Sequence, residues 1–202
     1  MPFLLALFLA IPTLLLPEQP VADLPAGPYA GGDPSAIATD GTNFLIVSTG
    51  IIKSYPVGQS AMLVDANANP LWKTSVGISR EGMSAGAASN GREYLVAYAD
   101  KAGSTKAVRL DLKGNMLDQT PIEILTGNAN FQGTHPIDVL WNGNEFVVIT
   151  TVGYPPVMTA TRISESGAVL QNGIALLDNA VWPIHAAAGH GVTVFTWNDP
   201  TG

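Results

Sequence analysis

Gly82-Met83-Ser84-Ala85-Gly86 has the G-x-S-x-G spacing that lifts a nucleophilic serine on a sharp strand-to-helix turn. That chemistry needs a helix behind the serine. Here Ala87-Ala88-Ser89-Asn90-Gly91 follows, a small-residue run ending in a turn dipeptide. Ser84 therefore falls at the start of a strand, where Ser and Gly suit a crowded position, and we assign it no catalytic role. The histidines are His135, His185 and His190, without the H-x-H or H-x-x-x-H spacing that places two imidazoles on one metal. His135 precedes a strand and His185 lies within one. Asp138 also sits in a strand, without an identifiable partner for acid–base work. Asp40, Asp65 and Asp111 precede turns, where a carboxylate accepts hydrogen bonds from local backbone. No catalytic set, metal site or cofactor emerges. The reading leans away from enzyme activity.

Composition narrows the partners. Of 202 residues, 47% are hydrophobic and 12% charged, enough apolar material for a core. Twenty-one glycines and fifteen prolines are too many for a mainly helical chain, because both break helix interiors. The net charge of −7, with nine scattered Lys and Arg, argues against nucleic acid, which needs a basic patch. The absence of cysteine excludes disulfides, thiolate metal sites, a Cys nucleophile and an acylated lipoprotein Cys.

Phe3 to Leu16 is an apolar run of fourteen residues, short of the roughly 18–20 that span a membrane. It matches the core of a secretory signal peptide, although no Lys or Arg precedes it. We expect a signal peptide over 1–26, ending near Ala22 or Ala26, then a linker over 27–33; the alternatives for the apolar run are a retained membrane anchor or a core strand or helix. The expected location is secreted or periplasmic, with no membrane contact apart from the signal segment.

The rest repeats. Asp40-Gly41, Asn90-Gly91 and Asn142-Gly143 each sit between two strand-like runs, their glycines 50 and 52 residues apart. Three residues after each glycine comes an aromatic that opens an apolar strand: Phe44, Tyr94 and Phe146. Third strands end in alignable turns at Asp65–Leu71, Asp111–Leu117 and Ser164–Leu170, and Trp72 to Val76 reads as the fourth strand of the first unit. The repeats run 34–77, 84–125, 135–178 and 183–202, the last with its turn glycine at Gly189 or Gly191. Such Gly turns between apolar strands are hairpin signals. A period near 40–50 residues with four strands per unit indicates a β-propeller. The expected class is all-β, a propeller of four-stranded blades with about three and a half blades present.

The repeats resemble those of secreted, mostly uncharacterised bacterial β-propellers over 34–202, through the turn Gly, the aromatic-Leu-Val strand and Arg109-Leu110-Asp111-Leu112-Lys113-Gly114. The resemblance implies fold, not catalysis. Ala61 to Trp72 also resembles the outer hairpin of quinoprotein-type propellers. The Trp occurs once, Asp118 and Gln171 taking its place elsewhere, so no quinone cofactor is implied.

Closed propellers have about 4–8 blades. An arc of three and a half leaves unpaired edges. It is a piece of a longer ring, closes against another copy, or remains an open stack. Turns at Asp40-Gly41, Asn90-Gly91, Lys113-Gly114 and Ser166-Gly167 read as tight, all at one end of the blades. At the other end, 50–60, 77–83, 100–105, 126–135 and 178–182 read as longer loops. Loops on a rigid scaffold carry binding residues. The expected site is therefore the long-loop face, with Tyr55, Arg80, Phe131, His135, Tyr154 and Trp182 as binding candidates. The expected function is a binding or scaffold module for a protein or glycan. The alternative is part of a propeller enzyme, of lyase, hydrolase or quinoprotein type, with its catalytic residues in further blades.

Overall fold

The computed structural model describes residues 32–52, 55–80, 82–127, 134–153, 155–179 and 181–198. The expected signal peptide lies outside them. The described residues form fourteen strands and no α-helix. Blade 1 is β1 (Gly32–Thr39), β2 (Phe44–Ile52), β3 (Tyr55–Val64) and β4 (Val76–Ser79). Blade 2 is β5 (Met83–Ser89), β6 (Glu93–Ala99), β7 (Thr105–Asp111) and β8 (Ile122–Leu125). Blade 3 is β9 (Thr134–Trp141), β10 (Phe146–Val152), β11 (Val157–Ile163) and β12 (Val169–Leu177). Blade 4 is β13 (Val181–Gly189) and β14 (Val192–Asn198). Each blade is an antiparallel meander in chain order, four-stranded three times and two-stranded once. This is an all-β propeller arc, not a closed ring.

Three apolar seams between blades hold it together. Leu45 and Val47 meet Tyr94 and Val96 in the first seam. Leu95 and Ala97 meet Phe146 and Val148 in the second. Val147 and Ile149 meet Ile184, Ala186 and Phe195 in the third. Alternate residues of a middle strand thus face opposite neighbours. That is why β6 is buried at every position and shows no polar alternation. Removing such apolar surface from water contributes roughly 25 cal/mol per Å².

The turns form as their side chains dictate. Asp40 Oδ1 accepts from the N–H groups of Thr42 and Asn43 at 2.8 and 2.7 Å. Asn90 Oδ1 does the same for Arg92 and Glu93, and Asn142 Oδ1 for Asn144 and Glu145. Asp65 caps Asn67 and Asn69, and Asp111 caps Lys113 and Asn115. These aspartates are turn formers.

Several boundaries differ from the sequence reading. β1 begins at Gly32, inside the expected linker. Trp72 lies outside any strand, in the connection before β4, because its ring is drawn into the seam with blade 2. The supposed long loop 50–60 is mostly strand: β2 runs to Ile52, paired with Tyr55. Gln59 and Ser60 stay within β3 because ladder bonds use backbone groups. The turn at Lys113-Gly114 is tight, with Gly114 N–H donating to the Asp111 carbonyl at 3.0 Å and Leu110 bridging Met116; irregular stretches then precede β4 and β8. The contrast between the two ends is weaker than expected, because 50–60 is mostly paired and irregular stretches follow the turns after β3 and β7. In blade 4 the hairpin turns at His190-Gly191, with Gly191 at φ 77°.

Candidate binding cleft at the first blade seam

Counting from the turn residues (Gly41 and Ala68, Gly91 and Gly114, Gly143 and Gly167) aligns three positions in each complete blade. Blade 2 has Glu93, Arg109 and Asp118; blade 3 has Glu145, Arg162 and Gln171; blade 1 has Asn43, Leu63 and Trp72. In blade 2, Arg109 Nη2 donates to Asp118 Oδ1 at 2.7 Å, and Nη1 lies 3.6 Å from Glu93 Oε2. In blade 3, Arg162 Nε and Nη2 form a fork on Glu145 at 2.6 and 2.9 Å. The Arg162 guanidinium holds the Glu145 carboxyl below its ordinary range. Burial pushes the Glu93 carboxyl up, against the nearby charge of Arg109.

Blade 1 lacks this ion pair, and a cleft of about 470 Å³ opens there. That size falls in the range of small-molecule sites. Trp72 is buried beside it, donating Nε1–H to the Leu112 carbonyl of blade 2 at 3.2 Å. Leu71 and Leu112 form exposed apolar walls, Asn43 and Thr74 supply polar edges, and Lys73 and Lys113 carry positive charge at the rim. The arrangement suits a ligand with an apolar body and a negative group.

Of the six residues expected at a site, four are described, and none of these four lines the cleft. Tyr55 opens β3, Arg80 follows β4, His135 is in β9 opposite Thr151, and Trp182 is in β13. All four lie at the end of the blades opposite the cleft, so the structure places them at one end without showing a shared pocket. Arg80 is exposed. Phe131 and Tyr154 lie outside the described residues. The cleft was missed because most of its lining lies in the stretch read as a fourth strand, Trp72 to Val76, and in the turn at Lys113. The available signal was the break in the Arg–acid pattern at Leu63 and Trp72.

Ser84 is the extra residue of a bulge in β5, between Met83 and Ala85, at φ 46°. Its carbonyl accepts from Gln59 Nε2 at 2.9 Å, which ties blade 2 to blade 1. A strand, not a helix, follows it. Asp138, in β9, accepts from the Val139 N–H at 2.8 Å. Burial raises its pKa, opposed by that bond and by His185 on the neighbouring first strand. Among the described residues no group of three or more His, Asp or Glu side chains converges as for a metal.

No protein-family model matches the sequence, and no curated protein matches it. Solved structures do share the fold. A subtype N11 neuraminidase-like protein of A/flat-faced bat/Peru/033/2010 superposes with a TM-score of 0.55 at 12% identity, over 87% of this chain and 48% of that one. A subtype N10 neuraminidase-like protein of A/little yellow-shouldered bat/Guatemala/060/2010 gives 0.47 at 11% identity, over 73% and 45%. The chain spans about half the length of these structures. At such identity the first likeness establishes the propeller fold alone.

Proposed function

We propose that this chain is an extracytoplasmic binding or scaffold module of the secreted bacterial propeller-repeat kind, which recognises a protein or carbohydrate ligand and performs no reaction itself. The cleft between Trp72, Leu112, Lys73 and Lys113 carries the reading. It replaces the ion pairs of blades 2 and 3 by apolar walls and two ammonium groups, a lining for an acidic ligand with an apolar face. The signal-like run Phe3–Leu16 supports the compartment.

The test is a panel of immobilised acidic and neutral oligosaccharides and acidic peptides, probed with the purified chain and two variants. Retention on an acidic member, lost in Lys73→Ala/Lys113→Ala, supports the cleft. Retention that survives this change but is lost in Arg80→Ala moves the site to the opposite end, among the loops around Tyr55, His135 and Trp182. No retention on any member removes the ligand class.

A second reading is that the chain is part of a propeller enzyme. It is favoured by the coverage of only 48% of a neuraminidase-like structure with the same fold. Its catalytic groups would then stand in further blades. A reading frame continuing with repeats whose first strands carry extra His, Asp or Glu would support it.

A further inference from the structure

One backbone position is treated differently in each complete blade. In blade 2 the Arg109 carbonyl accepts from the Leu117 N–H at 3.0 Å, and the Arg109 N–H donates to Asp118 Oδ2 at 2.9 Å. In blade 3 the aligned Arg162 pairs with Gln171 across the β11–β12 ladder. In blade 1 the aligned Leu63 carbonyl accepts from the Leu71 N–H at 2.8 Å, which repeats the first half of the blade 2 arrangement. The second half is not repeated. Trp72 stands at the position of Asp118 and carries no acceptor, and its indole N–H turns to the Leu112 carbonyl.

In an extended strand the N–H and C=O of one residue point to the same side. The Leu63 N–H therefore points outward from β3, as its carbonyl does. β4 pairs with β3 from Gln59 to Ala61, short of Leu63. Among the described residues, no acceptor meets this N–H. A buried donor without an acceptor is costly, so it favours any ligand that supplies one. Leu63 lines the cleft together with Lys73 of its own blade and Lys113 of the next. An unmatched donor and two ammonium groups thus border one cavity.

We propose, resting on that cleft as the binding site, that its ligand is the carboxyl terminus of a peptide ending in an aliphatic residue. One carboxylate oxygen accepts the Leu63 N–H, the part played by Asp118 Oδ2 in blade 2. Lys73 and Lys113 match the charge. The walls select the body of the ligand. Leu63, Leu71, Val76 and Leu112 are aliphatic. The Trp72 ring is covered by Gly114, on which a Cβ would stand 3.1 Å from Cε2. The neutral polar side chains of the lining, apart from the indole, are Asn43 and Thr74, and Asn43 Nδ2 already donates to Asp40 at 3.3 Å. The hydroxyls of an acidic sugar would be left partly unmatched there, whereas an aliphatic side chain needs no partners. Capture of a terminal carboxylate by backbone N–H groups is a recurring mode of peptide recognition.

The probe is a fluorescein-labelled peptide, Gly-Ser-Gly-Ser-Val-Leu with a free carboxyl end, titrated into the whole chain and read by anisotropy. Saturable binding is expected, weakened about ten-fold when the carboxyl is replaced by a terminal amide, the scale of a hydrogen bond to a charged group. Leu63→Arg/Trp72→Asp rebuilds the blade 2 pair, gives the N–H an internal acceptor and should abolish binding. In the parent chain the Leu63 amide proton should shift downfield on peptide addition. That measurement stands even if the double variant does not fold. The proposal is overturned by no saturable binding, by equal binding of the amide, by an unmoved Leu63 resonance, or by equal binding of a glucuronate oligosaccharide or of octanoate. Equal binding of the amide that is lost in Lys73→Ala/Lys113→Ala overturns the carboxylate and leaves the cleft as the site. Binding that survives the lysine exchange with Leu63 unmoved removes both.

Discussion

The α-carbon of Gly167 rests on the guanidinium of Arg109, so close that a methyl there would stand 2.8 Å from Nε. Gly114 lies over the Trp72 indole in the same way. The aligned position of blade 1 is Ala68, held at φ 63°. Glycine is thus required twice over at 114 and 167, by a positive φ and by the neighbouring blade.

Exchange at these turns separates the two demands. Gly114→Ala should destabilise by about 2 kcal/mol, from left-handed strain plus displacement of the indole. Gly41 has φ 97°, and a Cβ added there would meet nothing within 4 Å, so Gly41→Ala should lose only the strain, about 1 kcal/mol. Ala68→Gly should gain up to about 1 kcal/mol. Urea midpoints measure all three, and equal losses at 41 and 114 would remove the Trp72 contact from the account.

Arg109 reaches Asp118, Glu93 and the Glu165 carbonyl while largely buried. Arg109→Met should cost about 3 kcal/mol, because acids are left partly buried without a counter-charge. Adding Asp118→Leu should recover much of that loss in a denaturation series. Arg109→Lys should not, since a single ammonium replaces the planar fork.

Asp138 gives a pH dependence of defined sign. Its folded pKa is raised by burial, so the folded state binds the proton more tightly than the unfolded chain. Its contribution to stability is complete below the unfolded value near 3.8 and is lost as pH rises through the folded value. Asp138→Asn should therefore be more stable than the parent at pH 7, with the gain vanishing toward pH 3.5. His185 faces the same region, so the comparison should be repeated in His185→Gln to show that the carboxyl is the titrating group. A gain independent of pH would refute the assignment.

Asp65 behaves oppositely. Hydrogen bonds from the Asn69 side chain and backbone lead in holding its pKa below 3.8. Its contribution is present above the unfolded pKa and is lost as pH falls through the folded one. Asp65→Ala should weaken the turn at pH 7, with the difference disappearing in strong acid. Amide exchange of Asn67 and Asn69 reads this directly, through their bonds to Asp65.

Ser84→Gly is the control for the G-x-S-x-G spacing. A bulge residue at φ 46° is relieved by glycine, so stability should hold or rise by up to about 1 kcal/mol. Labelling by a serine-directed fluorophosphonate that disappears in this variant would restore a nucleophile role.

The blade pattern was legible from residues alone. Asp40, Asn90 and Asn142 each accept their own turn's backbone donors, and Phe44, Tyr94 and Phe146 follow at fixed spacing. These interactions span a few residues, so local chemistry determines them, and with them the all-β class and the repeat. Only the tertiary structure decided where the blades touch. Trp72 left the predicted fourth strand because a surface 40 residues on receives its N–H. Arg109 meets a carbonyl 56 residues away. The cleft lies where Leu63 and Trp72 stand at the positions of the Arg109–Asp118 pair, and Leu112 and Lys113 of the next repeat complete its lining. Periodicity specifies each hairpin; the seam depends on side chains from two repeats at once, and no single stretch encodes that.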